Sequence, residues 1–344
     1  MGKAIAWAMD KLGCTELVLV DSVMDNLSAC AEGLSCSTES ILSDMQDSNP
    51  AFLKDSDIVI SALPYLHNER LARHCIDHKL PYCDLGGHVD TSKKINEYAK
   101  EKGSLVMTDL GLAPGWVNIL AEYGYKQQRY SHKDIPKTVE MMVGGLPTTP
   151  NNYLKYNCNW SHAGLINEYK DQCTVLTDGS IALADGMSGL INIETSLGLM
   201  EAFYTSGGAS HTIKTMQSRG VQNCNYRTIR HEGHCEAMKF LMRNISSDNE
   251  LLAFLNKACP PAPDLVIVKV RVGDYEKTAD WKEEKIVYSN DQFSAMQMAT
   301  AFPISVVSHL MVTDFSGFPM PMSYQHIPYR TFADRLNFLF EEAQ

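Results

Sequence analysis

The sequence predicts an α/β fold: a parallel sheet layered with helices, carrying an inserted α+β domain. Three observations predict it. Residues 1–127 alternate short apolar runs with amphipathic stretches of about 10–15 residues, the pattern of βαβ crossovers. Around Ser131–Pro136 the texture changes to longer β-rich runs, and from residue 293 helical periodicity returns. At 344 residues the chain exceeds the size at which a single core keeps growing. Domains are therefore expected at 1–127 and 128–292, with 293–344 returning to the first.

In the first region the strand candidates are Leu17–Val20, Ile58–Ala62, Tyr82–Leu85 and Leu105–Thr108, and the helix candidates are Asn68–His78, Ser92–Lys102 and Trp116–Gln127. The polar, poorly periodic Cys36–Lys54 segment is expected to hold a short edge strand and a loop or turn of helix. Gly2 opens a helix-like run and Asp21 ends the strand-like Leu17–Val20. In a complete dinucleotide fingerprint a strand leads into G-x-G-x-x-G, whose third glycine lets helix and sheet pack closely, and an acid about 20 residues on bonds the ribose 2′-OH. Gly2 fits that third glycine and Asp21 the acid. The reading is a Rossmann-type sheet whose first strand is missing from the written sequence, through truncation or a misplaced start.

The second region offers β-rich runs at Thr138–Val143, Cys173–Ala184, Leu265–Val272 and Lys285–Ser289, with helices near Glu194–Thr205 and Cys235–Arg243. That mixture suits an α+β substrate domain on an antiparallel sheet. Further helices are expected at Ser294–Met311 and Thr331–Glu342.

Composition narrows the function. With 44% apolar and 21% charged residues the chain reads as an ordinary globular protein, and a net charge of -11 without basic clusters argues against nucleic acid. No apolar run reads as a membrane span and no signal-type segment opens the chain, so the expected location is cytoplasmic, away from any membrane. Ten cysteines without a C-x-x-C pair sit mostly in apolar segments, so neither metal nor disulfide is expected.

Three strand ends carry unusual turn chemistry: Ser61-Ala62-Leu63-Pro64, Asp84-Leu85-Gly86-Gly87, and Thr108-Asp109 running on to Pro114-Gly115. Ligands of open α/β sheets bind beyond the carboxyl ends of the strands, so all three loops fall on one rim. Small residues there let backbone approach a cofactor, and Pro64 stiffens its loop. The cofactor-binding candidates are Gly2, Asp21, Ala62, Leu63, Pro64, Asp84, Gly86 and Gly87. The carboxylate of Asp21 favours NAD, with NADP less favoured because a 2′-phosphate would be repelled.

The run Asp109-Leu110-Gly111-Leu112-Ala113-Pro114-Gly115-Trp116-Val117-Asn118 resembles the D-x-G-x-A-P-G-x-x-N signature of the saccharopine dehydrogenase-like family, in the branch that contains L-lysine 6-dehydrogenase. Gly144–Pro147, Tyr156, Trp160-Ser161, Glu201–Gly208, Thr228–His234 and Phe293–Met296 agree with it in order. The resemblance implies a Rossmann domain with an inserted substrate domain, a homodimer built on the latter, and NAD(P)-linked chemistry at a C–N bond of an amino acid. L-lysine 6-dehydrogenase-like oxidative deamination leads. Saccharopine dehydrogenase, or a non-catalytic or truncated relative, is the alternative.

Such chemistry needs a proton acceptor and a carboxylate clamp. Asp109, His211 and His234 are the catalytic candidates, since Asp109 lies on the rim and imidazole titrates near neutrality. Arg227 or Arg230 suits a substrate carboxylate, because a guanidinium fork matches it with two hydrogen bonds; ordinary pairing with Glu232 or Glu236 competes. Tyr156 and Trp160 are candidate pocket walls, and Asn118 is placed to reach substrate or cofactor.

Overall fold

The computed structural model describes residues 1–45, 50–274, 280–314 and 317–344. They form two compact units: unit 1 is Met1–Trp116 with Gln297–Gln344, and unit 2 is Val117–Met296. Positions 46–49 of the expected Cys36–Lys54 loop lie outside the described residues.

Unit 1 alternates helix and strand: α1 (Gly2–Lys11), β1 (Glu16–Asp21), α2 (Met24–Ala31), β2 (Ser37–Leu42), β3 (Val59–Ser61), α3 (Tyr65–Asp77), β4 (Tyr82–Asp84), α4 (Val89–Lys102) and β5 (Val106–Met107). Helix α1 stops where Gly13 takes a φ of +91°, letting the Cys14 N–H reach back to the Met9 carbonyl. Helices α3 and α4 press Leu71, Ala72, Cys75, Ile76, Ile95 and Ala99 onto Val59, Tyr82 and Val106 of the strands. All three residues of β4 are buried, as a central strand requires.

Every pairing in this unit is parallel, as expected, but the expected continuous sheet is two sheets, β1-β2 and β3-β4-β5. The physical reason lies in strand order. A doubly wound sheet of order 3-2-1-4-5-6 places its first strand at the centre, and among the described residues no strand joins β1 to β3. Val20 of β1 nonetheless packs on the core of the other sheet.

Unit 2 contains most of α5 (Trp116–His132), then β6 (Thr138–Pro147), α6 (His162–Lys170), β7 (Cys173–Thr177), β8 (Ser180–Ala184), β9 (Ile191–Thr195), β10 (Gly198–Tyr204), α7 (Thr212–Ser218), β11 (Asn223–Arg230), α8 (His234–Asn244), α9 (Asp248–Ala258), β12 (Asp264–Gly273) and β13 (Trp281–Tyr288). Its sheet runs β13-β12-β6-β11-β10-β9, with the β7-β8 hairpin attached to β11. The sheet is mixed rather than antiparallel, because β6 and β11 pair in parallel. Residues Asp178 and Gly179, with φ of +48° and +78°, make the two-residue turn between β7 and β8.

The expected helix at Glu194–Thr205 is instead the hairpin of β9 and β10. Exposure alternates along Ile191–Thr195, and Gly198 supplies a φ of +104° at the turn, where Thr195 Oγ1 accepts the Leu197 N–H. Because Met200–Phe203 is buried on both faces, that stretch lacks the alternation that marks a strand. Helices α6, α8 and α9 cover one face of the sheet with Leu165, Ile166, Met238, Leu251 and Leu255 around Phe203. Glu201, also buried, accepts the backbone N–H groups of Gly233 and Cys235 and so caps α8.

After unit 2, α10 (Ala295–Thr313) and α11 (Tyr329–Glu342) complete unit 1. Phe302 of α10 stacks on Trp7 at 5.4 Å, and Phe340 of α11 meets Phe302 at 5.3 Å. Helix α10 corrects the membrane reading. It is long and apolar enough to span a bilayer, yet 72% of that stretch is buried within the protein, as in a core helix. Seven of the ten cysteines are buried thiols.

Candidate active site

In unit 1 the cofactor-side candidates converge on the carboxyl ends of β3, β4 and β5. A Cβ built on Gly2 would lie 4.0 Å from Ala62 Cβ, so the start of α1 abuts the loop after β3. A Cβ on Gly87 would come within 3.2 Å of Tyr65, whose ring stacks on His88 at 5.2 Å. Leu63, half-buried, donates its N–H to Ser61 Oγ, and Pro64 precedes the first turn of α3.

Asp84 ties this rim together. Its Oδ1 accepts the N–H groups of Gly86 (2.9 Å) and Asp109 (3.1 Å), while its main-chain oxygen accepts that of Leu110. Asp109, buried at a φ of +62°, accepts Ser92 Oγ–H at 2.6 Å, and its carbonyl accepts the Tyr324 hydroxyl at 2.7 Å. Position 86 must be glycine here: its φ is +77°, and a Cβ would lie 2.4 Å from Asp109 Oδ1. The second Asp84 oxygen and the Tyr82 hydroxyl are buried without a hydrogen bond among the described residues. Burial, and then the neighbouring Asp109 charge, push the Asp84 carboxyl up to about 7.

Asp21 stands at the end of β1, where its Oδ1 accepts the Val23 N–H (2.9 Å) and the Asn26 amide (3.2 Å). Its other oxygen makes no bond among the described residues. A helix N-terminus, a strand-end carboxylate with an open oxygen and a glycine-lined rim fit a dinucleotide.

In unit 2 a second group forms around Arg230, at the end of β11 and 3% exposed. Its Nε–H donates to the Tyr169 hydroxyl (2.9 Å) and Nη1 to the Ile229 carbonyl (2.9 Å). Its guanidinium lies 4.7 Å above the Tyr156 ring, whose hydroxyl accepts Trp160 Nε1–H at 3.1 Å. Tyr156 is buried and Trp160 is 38% exposed, so this wall reaches solvent.

His234 Nδ1 lies 2.7 Å from the Leu154 carbonyl, which only accepts, so Nδ1 carries the proton and Nε2 accepts the Tyr169 hydroxyl at 2.9 Å. Burial and Arg230 lower its pKa to about 3. With both nitrogens engaged, His234 is not the expected proton acceptor; it orients Tyr169, which holds Arg230.

Two other candidates face inward. Arg227 spends four of its five N–H donors on Glu140, Asn225, Gly189 and Tyr204, so it is a structural ion pair rather than a clamp. Asn118 is fully buried, and its amide donates to the carbonyls of Gly208 (3.3 Å) and Ala209 (3.0 Å) and to Thr212 Oγ1 (2.9 Å), fastening α5 to the start of α7. His211, half-buried just before α7, has Nδ1 3.3 Å from Ser210 Oγ. The sequence reading missed Tyr169 because α6 was not recognised. Its signal was Ser161, whose hydroxyl accepts the Gly164 N–H and caps that helix.

Comparison with known proteins bears on both units. The saccharopine dehydrogenase NADP binding domain matches residues 1–107, and the saccharopine dehydrogenase C-terminal domain matches residues 111–337. The chain belongs to the saccharopine dehydrogenase family. It is therefore of an oxidoreductase family and carries a nicotinamide dinucleotide-binding domain. The mitochondrial alpha-aminoadipic semialdehyde synthase of Rattus norvegicus is 24% identical over 226 residues, 63% of this chain and 23% of that protein. The saccharopine dehydrogenase [NADP(+), L-glutamate-forming] of Pyricularia oryzae is 23% identical over 209 residues, 59% of this chain and 46% of that one. The chain thus spans less than half the length of either relative. Among solved structures, the apo histidine-tagged saccharopine dehydrogenase (L-Glu forming) of Saccharomyces cerevisiae gives a TM-score of 0.76 at 15% identity, covering 97% of this chain and 94% of that one. The homospermidine synthase of Legionella pneumophila in complex with NAD gives 0.65 at 10% identity, covering 94% and 83%. These likenesses show the fold.

The Asp84 geometry sets a pH dependence. Its folded pKa is raised from 3.8 to about 7, so the stability it contributes is full below 3.8 and is lost as pH rises toward 7. Asp84→Asn keeps an oxygen for the two N–H groups but cannot ionise. Urea unfolding at pH 5 and pH 8 is expected to show the variant gaining on the parent at the higher pH; an unchanged difference would mean that Asp84 ionises freely in the fold.

Proposed function

We propose that this chain oxidises a C–N bond of an amino acid with a nicotinamide dinucleotide, L-lysine being the first substrate to test. The observation that carries this reading is Arg230, a guanidinium buried against Tyr156 and Tyr169 with donors left over for a carboxylate. When bound, the cofactor accepts a hydride. The chain's own residues hold the carboxylate through Arg230, with Tyr156 and Trp160 walling the pocket. His211 is the remaining candidate within unit 2 for taking the ammonium proton.

One carboxylate clamp favours the smaller substrate. Arg219 pairs with Glu122 at 2.7 Å and Arg227 with Glu140 at 2.9 Å, which leaves Arg230 as the open member of the cluster. The names of the relatives favour a second reading, in which saccharopine, bearing a glutamate, is the substrate. NAD is proposed on the Asp21 carboxylate, against which the NADP-binding name of the matched domain weighs.

Cofactor reduction with L-lysine and with saccharopine, each with NAD and NADP, separates these readings. Arg230→Lys, which keeps charge but loses the fork, is expected to raise KM roughly 10- to 100-fold with a smaller change in kcat. An unchanged KM would remove Arg230 from the site. Asp21→Ala is expected to raise KM for NAD more than for NADP, and an equal rise would show that Asp21 does not read the ribose.

A further inference from the structure

We propose that Glu168 and Arg230 together form a zwitterion site, Glu168 taking the α-ammonium and Arg230 the α-carboxylate of one amino-acid end. The proposal rests on the reading of Arg230 as the carboxylate clamp and adds a specificity-determining residue to it. Glu168 precedes Tyr169 on α6, the same residue whose hydroxyl fixes Arg230 Nε. Its carboxylate makes no hydrogen bond or ion pair among the described residues, and the residue is half-buried, so solvent reaches it. The charge of Glu168 acts on Arg230, Tyr169 and Tyr226, so its carboxylate lies within electrostatic range of each.

Arg230 is the complement. Of its five N–H donors, Nε and one on Nη1 are used, and no carboxylate pairs with it among the described residues. A cation and an anion lie within electrostatic range of each other without closing into an ion pair among the described residues. Leaving either charge buried and unpaired costs several kcal/mol, so a ligand carrying both opposite charges on adjacent atoms is favoured over one carrying a single charge. Burial pushes the Glu168 carboxyl up to about 7, with Arg230 pulling the other way, and an arriving ammonium favours its ionised form.

Calorimetric titration of the full chain tests this with L-lysine against ε-aminocaproate, which is lysine without its α-ammonium, and L-glutamate against glutarate. The parent is expected to bind each amino acid at least about 10-fold more tightly than its analogue. Glu168→Gln should bring both ratios near one while leaving the analogues' affinity within about twofold, and Glu168→Asp should restore part of the ratio. Arg230→Lys should weaken amino acid and analogue by the same factor. A parent without preference, or a ratio that survives Glu168→Gln, overturns the role of Glu168. An Arg230→Lys variant that binds all four probes as the parent does overturns the carboxylate reading, and the site with it.

Discussion

The interaction on which unit 2 depends is the burial of the Arg230 charge. A guanidinium removed from water needs its donors and its field answered, and here aromatic residues and one carbonyl answer part of that need while the remaining N–H donors stay open. Tyr156 presents its ring face, Tyr169 its hydroxyl, and His234 fixes that hydroxyl because its own second nitrogen is locked on the Leu154 carbonyl. The order runs from backbone to imidazole to phenol to guanidinium. Each link has one direction, set by which atom carries the proton. Glu201 supports it from beneath by capping α8 on either side of His234.

Unit 1 is organised around a carboxyl group instead. Asp84 gathers the loops after β4 and β5 by accepting two of their N–H groups, and the tight approach of Asp109 to Gly86 follows from that. The cost is a raised pKa in a buried acid.

Strands β1, β3, β4 and β5 were legible because each is a short apolar run, unlike the mostly polar β2, and the three rim loops because strand ends carry ligand chemistry in this fold. Strand β10 was not, since a strand buried on both faces loses the alternation that identifies it. The site was legible in residue type more than in role. Arg230 lies over the Tyr156 ring and Tyr156 bonds Trp160, whereas Arg227, Asn118 and His234 spend their polar atoms on internal partners that only the packed structure supplies. Glu168 and Tyr169 escaped notice because they sit on a short helix of mixed polarity, where the inward face is defined by what packs on it.

His234 is a neutral, Nδ1-protonated imidazole that orients Tyr169 and thereby Arg230. Nitrogen-15 NMR of the His234 ring across pH tests it most directly. The account predicts a non-protonated Nε2 that accepts a hydrogen bond and shows no titration from pH 8 down to about 4, in keeping with a pKa near 3. A ring that titrates near the ordinary 6.5, or one protonated at Nε2, would contradict it.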